Sequence, residues 1–325
     1  MEKKKLFLLG GIPLLVLSLT LSLSWGAEWP KIVSIGGSSV GGAFYYVSGG
    51  FVKIFEKIGV KATVEVTGGS IHNPKLMEAK KLQFAPNSPG AAWEAYTGVG
   101  VFAPKKHDSL RSVLTISRSY GHGWALEKKK LRTFRDLQGK SVSGGPPGGI
   151  SDGYLRDYAE LLGVKFARVS TVPFSDTVNL IQDGMIDAGW CFGGIPFGAA
   201  NEITSTRGGA IIGFTPEDIR KIETKWPYFS ADEIAPNTYK NQREPIKTPV
   251  YWSIFLTHKD IPDDLIYKLV ETIFANLNIM VAAHKCMEEL TLENQKHLSF
   301  PLHPGAYKFY KEKGVLIPEK ALPPK

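Results

Sequence analysis

Cysteine is nearly absent from this chain of 325 residues: Cys191 and Cys286 are the two it has, which excludes a disulfide-built scaffold and a four-cysteine zinc site. They lie far apart in sequence, and whether they pair is a matter of geometry that sequence does not reveal. Beyond the N-terminus no apolar run is long enough to cross a bilayer. Neither G-x-G-x-x-G nor G-x-x-x-x-G-K-[ST] occurs, so dinucleotide and nucleotide-phosphate enzymes lose their best evidence. The seven histidines are scattered without H-E-x-x-H spacing, and no metal site or cofactor is expected. There is no Arg-rich stripe interleaved with aromatics. The formal charge of +8, from 39 basic and 31 acidic residues, is a mild bias at this length, and nucleic acid is not an expected partner. No fixed-period repeat or low-complexity tract is present.

What is present begins with an export signal. Lys3, Lys4 and Lys5 precede an apolar run from Leu6 to Trp25, followed by the small residues Gly26 and Ala27. A basic region, an apolar stretch and a small-residue exit describe a removable signal over residues 1–26, and hence a periplasmic protein. A retained anchor is the rival reading, since the run nears the ~20 residues of a spanning helix. Gly10, Gly11 and Pro13 break that run, and four hydroxyl residues dilute it. No cysteine stands at the exit to carry a lipid.

After Pro30, strand-like and helical patterns alternate, the signature of an α/β fold. Ile32–Ile35 is a short apolar run ending in Gly36-Gly37, and Phe44, Val47, Phe51, Ile54 and Ile58 then recur at helical spacing. Alternation at Ala62, Val64 and Val66 marks a strand that ends at Thr67-Gly68-Gly69-Ser70. Ser141–Ser143 enters Gly144-Gly145-Pro146-Pro147-Gly148-Gly149, after which Ser151 is placed to cap a helix through Leu155, Tyr158 and Leu162. A buried strand, Ile186–Phe192, runs into Gly193-Gly194, and Pro262 opens a long helix through Leu277. The extended segments Ser112–Ala125 and Pro249–His258 are the natural crossings between two lobes.

Glycine is enriched, 34 residues of 325, about 10% against a usual ~7%. The excess clusters in three strand–Gly turn–helix passages, at Gly36–Gly42, Thr67–Ser70 and Gly144–Ser151. Such turns leave free N–H groups at a helix N-terminus, where the macrodipole favours an anion. Each alone is an ordinary turn of an α/β fold; three of one construction, with Gly193-Gly194, point to a ligand cleft. Gly37-Ser38-Ser39-Val40-Gly41 matches the G-x-S-x-G elbow of a secreted α/β hydrolase using Ser39, but it follows the first strand and has no identifiable His and acid partners. His122 is read as structural rather than metal-binding. The chain carries binding features and lacks catalytic ones.

The order and spacing of several fragments resemble the solute receptors of TRAP-type transporters, TAXI group. They are Gly41-Gly42-Ala43-Phe44-Tyr45-Tyr46-Val47-Ser48-Gly49, Val66-Thr67-Gly68-Gly69-Ser70-Ile71-His72-Asn73, Gly184-Met185-Ile186-Asp187-Ala188, Ile261-Pro262-Asp263-Asp264-Leu265, Leu290-Thr291-Leu292-Glu293-Asn294 and Pro301-Leu302-His303-Pro304-Gly305-Ala306. The resemblance implies a two-lobed, type II periplasmic-binding-protein-like fold with its cleft between lobes, no catalysis, and delivery of a small solute to TRAP-type permease subunits. The soluble component of an ATP-driven importer of sulfonates or similar anions uses the same fold and is the runner-up. Lobe I is expected over residues 29–116 and 247–325, and lobe II over residues 117–246.

Carried over by position, the ligand residues are Gly42, Ala43, Phe44, Tyr45, Gly68, Ser70, Ile71, Asn73, Asn87, Ser88, Pro147, Gly148, Gly149, Ser151, Trp190, Gly193 and Gly194. Asn87-Ser88-Pro89 stands where relatives commonly read Gln-Ser-Asp, which removes a carboxylate that could hold a ligand amine. Gly148-Gly149-Ile150-Ser151 stands for Gly-Ser-Gly-Thr. These departures tilt the expected ligand from an amino acid toward an organic acid with no ammonium group. Arg118 replaces a commonly uncharged residue; it is expected either to fork onto a carboxylate or sulfonate, or to be a solvated or lobe-bridging side chain.

Overall fold

The computed structural model describes residues 28–226 and 228–324. The expected signal, residues 1–26, lies outside them. In chain order the first part runs β1 (Ile32–Gly36), α1 (Ala43–Lys57), β2 (Lys61–Glu65), α2 (His72–Glu78), β3 (Phe84–Asn87), α3 (Pro89–Thr97) and the long β4 (Leu110–Leu126). The middle part is β5 (Ser141–Ser143), α4 (Ile150–Leu162), β6 (Arg168–Ser170), α5 (Phe174–Gln182), β7 (Ala188–Gly193), α6 (Gly198–Arg207), β8 (Gly209–Ile212), α7 (Pro216–Lys225) and β9 (Ser230–Ile234). The second long strand, β10 (Ile246–His258), leads to α8 (Asp263–Ala275), α9 (Leu277–Ala283) and α10 (Pro304–Glu312).

The sheet order is β2-β1-β3-β10-β4-β7-β5-β6, with β8 added to β4 and β9 to β10. The βα units pair in parallel (β1 with β2 and β3, β5 with β6 and β7), as crossover helices require. The two long strands are antiparallel to each other and serve both ends of the sheet. Leu110–Thr115 of β4 faces Ile254–His258 of β10, while Tyr120–Ala125 faces Ala188–Gly193 of β7. The register between β4 and β10 shifts between Trp252 and Ile254 and again between Phe255 and Leu256.

The hydrophobic cores divide along the same line. One pair of clusters draws its buried residues from 33–116 and 254–321, the other pair from 120–251. In the first, α1 buries Val47, Phe51, Ile54 and Phe55 at helical spacing, and the Phe51 ring stacks on Phe255 at 3.9 Å. A fully buried phenylalanine contributes about 1.5–3 kcal/mol by area, and its truncation to alanine costs about 3–5 kcal/mol once the cavity is counted. In the second, Phe134 stacks on Phe214 and meets Trp190 edge-on. The architecture is α/β, as the alternating pattern predicts, and two-lobed, as the family resemblance implies.

Two local expectations need correction. The helix opened by Pro262 does not run through Leu277: Asn276 leaves helical geometry (φ −137°), and the chain turns by 77° into α9. Ser151 does not cap α4. The cap is Gly149, without a side-chain bond, and Ser151 lies in the first turn, where its Oγ accepts the Phe192 N–H at 3.0 Å.

Candidate functional site

Three helices point their N-termini at one place. The residues preceding α1, α4 and α6 are Gly42, Gly149 and Phe197, all extended (ψ 145°, 151° and 129°), and none supplies a side-chain cap. An uncapped first turn leaves N–H donors and the positive end of the macrodipole facing outward. Here they face a small cavity of about 30 Å³ between the two halves of the sheet. From the first half it is lined by Ser38, Gly42, Ala43, Phe44, Gly68, Gly69 and Ser70. From the second come Pro146, Gly149, Ile150, Ser151, Phe174, Phe192, Gly193, Phe197 and Tyr251. No charged side chain lines it among the described residues. Aromatic rings form the walls, and the polar groups available are backbone N–H and the hydroxyls of serine and tyrosine.

The halves touch over this cavity. The N–H groups of Ile71 and His72 both donate to the Gly148 carbonyl, at 3.1 and 3.2 Å. A β-carbon on Gly198 would stand 2.8 Å from the Gly41 carbonyl oxygen, so α6 begins directly against the first glycine turn.

Eight residues expected from sequence line the cavity: Gly42, Ala43, Phe44, Gly68, Ser70, Gly149, Ser151 and Gly193. The remainder do other work. Pro147, Gly148 and Ile71 form the contact between the halves. Asn73 ties loops together: its Nδ2 donates to the Gly37 and Pro86 carbonyls at 3.1 and 3.2 Å, and its Oδ1 accepts the Thr67 hydroxyl at 2.7 Å. Ser88 caps α3, and its N–H donates to Ser70 Oγ and Asn87 Oδ1. The buried Asn87 Nδ2 has no partner among the described residues. Tyr45 follows Phe44 on α1 but does not reach the cavity. Gly194 packs on Cys286, and Trp190 is fully buried in the second core. Cys191 and Cys286 are both free and buried.

Arg118 does not reach the cavity either. Its Nε and one terminal nitrogen hold Glu289 Oε1 at 3.1 and 2.8 Å, and its other terminal nitrogen holds Asp232. Burial alone would lower its pKa, but the hydrogen bond and charge of Glu289, with Asp232 adding, carry it above the usual guanidinium range. With its fork occupied by two carboxylates, it is unavailable to a ligand anion.

Phe174, Phe197 and Tyr251 were not expected at the site. The signal for Phe174 is legible in Val172-Pro173-Phe174, a strand–turn–helix passage built with proline in place of glycine, whereas Phe197 follows Gly193-Gly194-Ile195-Pro196, a turn whose glycine pair the sequence does mark. His122 supports the same corner from behind. Its Nδ1 bonds the Tyr120 carbonyl at 3.0 Å, which makes Nε2 the acceptor of the Tyr239 hydroxyl at 2.8 Å, and that hydroxyl accepts the Phe197 N–H at 2.8 Å. Complete burial pushes the His122 pKa down to about 4, against the raising effect of the carbonyl bond. Ser39 Oγ, the hydrolase candidate, is buried and has no hydrogen-bond partner among the described residues.

Residues 35–314 match the family described as NMT1-like family. Among solved structures, the chain is similar to an ABC uptake transporter substrate binding protein from Streptococcus pneumoniae with bound histidine. That match has a TM-score of 0.51 at 10% identity and covers 78% of this chain and 93% of the other. An ancestral arginine-binding protein bound to arginine matches with a TM-score of 0.49 at 12% identity, covering 80% and 99% of the two chains. The substrate binding protein of an amino acid ABC transporter matches with a TM-score of 0.49 at 13% identity, covering 79% and 98%.

Proposed function

The chain belongs to the NMT1-like family, and from that premise we propose that it is an extracytoplasmic receptor that captures a small organic anion and delivers it to a TRAP-type membrane transporter. One observation carries the reading: three uncapped helix N-termini converge on a single cavity between two lobes, with no charged side chain lining it among the described residues. Backbone N–H groups and helix dipoles recognise a carboxylate or a similar group without a counter-ion. An amino-acid ligand would need an acceptor for its ammonium, and among the described residues the cavity wall holds no carboxylate. The aromatic walls suit a compact apolar remainder.

In this reading lobe I comprises about residues 29–116 and 247–325, lobe II about residues 117–246, and β4 and β10 are the hinge. Closure expels water from the cleft and strengthens the N–H contacts. The N-terminal segment exports the protein to the periplasm, where the closed form meets the permease.

Thermal-shift screening of the chain without residues 1–26, against short carboxylates, sulfonates and amino acids, tests the reading, because a solute that binds the folded state raises the melting temperature. Calorimetry on the hits follows. A response confined to cationic or zwitterionic amino acids would overturn the anion assignment.

A further inference from the structure

The short turn Lys285–Glu289 packs into the first core through Cys286 and Met287, yet it also meets the second half of the molecule. Cys286 lies against Gly194, where an added β-carbon would be 2.6 Å from the sulfur. Glu289 meets Arg118 three times: Oε2 accepts the backbone N–H at 2.7 Å, and Oε1 accepts Nε and a terminal nitrogen. The remaining terminal nitrogen of Arg118 holds Asp232, on β9. Strand β9 pairs with β10 at Ile246–Val250, and its Ile234 is buried in the second core.

Arg118 stands on β4 opposite Trp252 on β10, between Ile116, which belongs to one core, and Tyr120, which belongs to the other. Its guanidinium is flanked by the Tyr120 and Trp252 rings at 5.5 and 5.8 Å. A single planar cation, at the point where both long strands pass between cores, therefore joins one carboxylate from each side.

We propose that Asp232, Arg118 and Glu289 form an electrostatic clasp across the hinge that biases the protein toward its closed form before any solute arrives. Arg118 is then a positioning residue for closure. Although Arg118 falls at the very start of the 117–246 segment, its backbone bond to Glu289 holds it to the first half, so hinge rotation stretches the bond to Asp232. The clasp matters for capture because apparent affinity scales with the fraction of molecules already in the binding-competent form. The inference rests on the reading of a hinged two-lobed receptor, but its test requires no solute.

Spin labels at Lys57→Cys and Glu160→Cys, exposed near the C-terminal ends of α1 and α4, report lobe separation, because the N-termini of these helices meet at the cavity. The two native thiols are buried and do not compete for label. Asp232→Asn in this background cuts the clasp while leaving Arg118 paired with Glu289. The expected result on solute-free protein is an about two- to fivefold fall in the ratio of closed to open distances, the range for partly exposed ion pairs. Raising salt to about 1 M, where the Debye length is about 3 Å, moves the wild type the same way and the variant much less. A distance distribution that Asp232→Asn leaves unchanged would overturn the proposal. Should that variant fail to fold, the salt titration of the wild type decides: indifference to salt overturns it. A protein that binds no carboxylate would leave these outcomes as they are, so failure of the ligand reading is distinguishable.

Discussion

A β-carbon on Gly68 would lie 2.1 Å from the carbonyl oxygen of Pro147, closer than any non-bonded carbon and oxygen approach. This is the tightest backbone contact across the cleft, and φ of Gly68 lies outside the left-handed region, so the position demands glycine for space and not for conformation. Gly68→Ala is therefore expected to leave each lobe intact and to obstruct their meeting. The melting temperature should stay within about a few degrees of wild type, while affinity for the solute found by screening falls by about tenfold or more, as the closed fraction falls. Calorimetric titration beside a melting scan measures both. Wild-type affinity would mean that the loop yields without opening the cleft.

Tyr239 holds one wall of the cavity through a single hydroxyl. Removing it in Tyr239→Phe strands two buried groups, the Phe197 N–H and His122 Nε2. Each buried polar group left without a partner costs about 1–3 kcal/mol, so the variant should lose about 2–6 kcal/mol of stability. Urea unfolding of the chain without residues 1–26 gives this directly. A loss under about 0.5 kcal/mol would show that water or a rotated side chain replaces the bond.

The same histidine makes the fold sensitive to acid. Folded, His122 titrates near pH 4; unfolded, it returns to the ordinary value of 6.5. Between those values the unfolded chain binds the extra proton, so stability is fully present above about pH 6.5 and declines as pH falls toward 4. One such group contributes a slope of at most about 1.4 kcal/mol per pH unit. His284 and His303, whose pKa values burial also lowers, act in the same direction. Unfolding free energy measured at several pH values should fall through this window, and His122→Gln should flatten the curve by about one proton's worth. An unchanged slope in that variant would remove His122 from the account.

How much of this was legible in the sequence depends on how local the cause is. The turn before α1 announces itself because strand, glycine pair and helical spacing lie within a few residues, and the same holds for the passage into α4. Phe174 enters α5 from a proline turn without glycine, so its construction is disguised, while Phe197 stands three residues past the Gly193-Gly194 pair that marks the same cleft. Arg118 could not be resolved by local reasoning. Its two carboxylates lie 171 and 114 residues away, and only the fold says whether a lone arginine faces a cleft or a pair of acids. The break at Asn276 was hidden for a related reason: apolar residues continue at helical spacing through Leu277, and burial of α9 against α1 sets the new direction.

The sign of the ligand's charge can be tested at Ser38, a buried cavity residue whose Oγ lies close to Gly42, just before α1. Ser38→Asp would put a carboxylate where the uncapped N–H groups of α1 point. Two effects with opposite signs follow. The helix gains a negative charge at its positive end, worth about 0.3–1 kcal/mol, so stability should hold or rise. A bound anion would meet that carboxylate at short range, which at an effective dielectric of about 20 costs about 4 kcal/mol at 4 Å, so affinity should fall by about a hundredfold or more. Ser38→Asn adds the same volume without the charge and should lose far less. Calorimetry on the three proteins with one carboxylate hit separates charge from bulk. Equal losses in Ser38→Asp and Ser38→Asn would make the effect steric, whereas tighter binding in Ser38→Asp would mean that the solute carries positive charge at this end and that recognition by the helix N-termini is wrong.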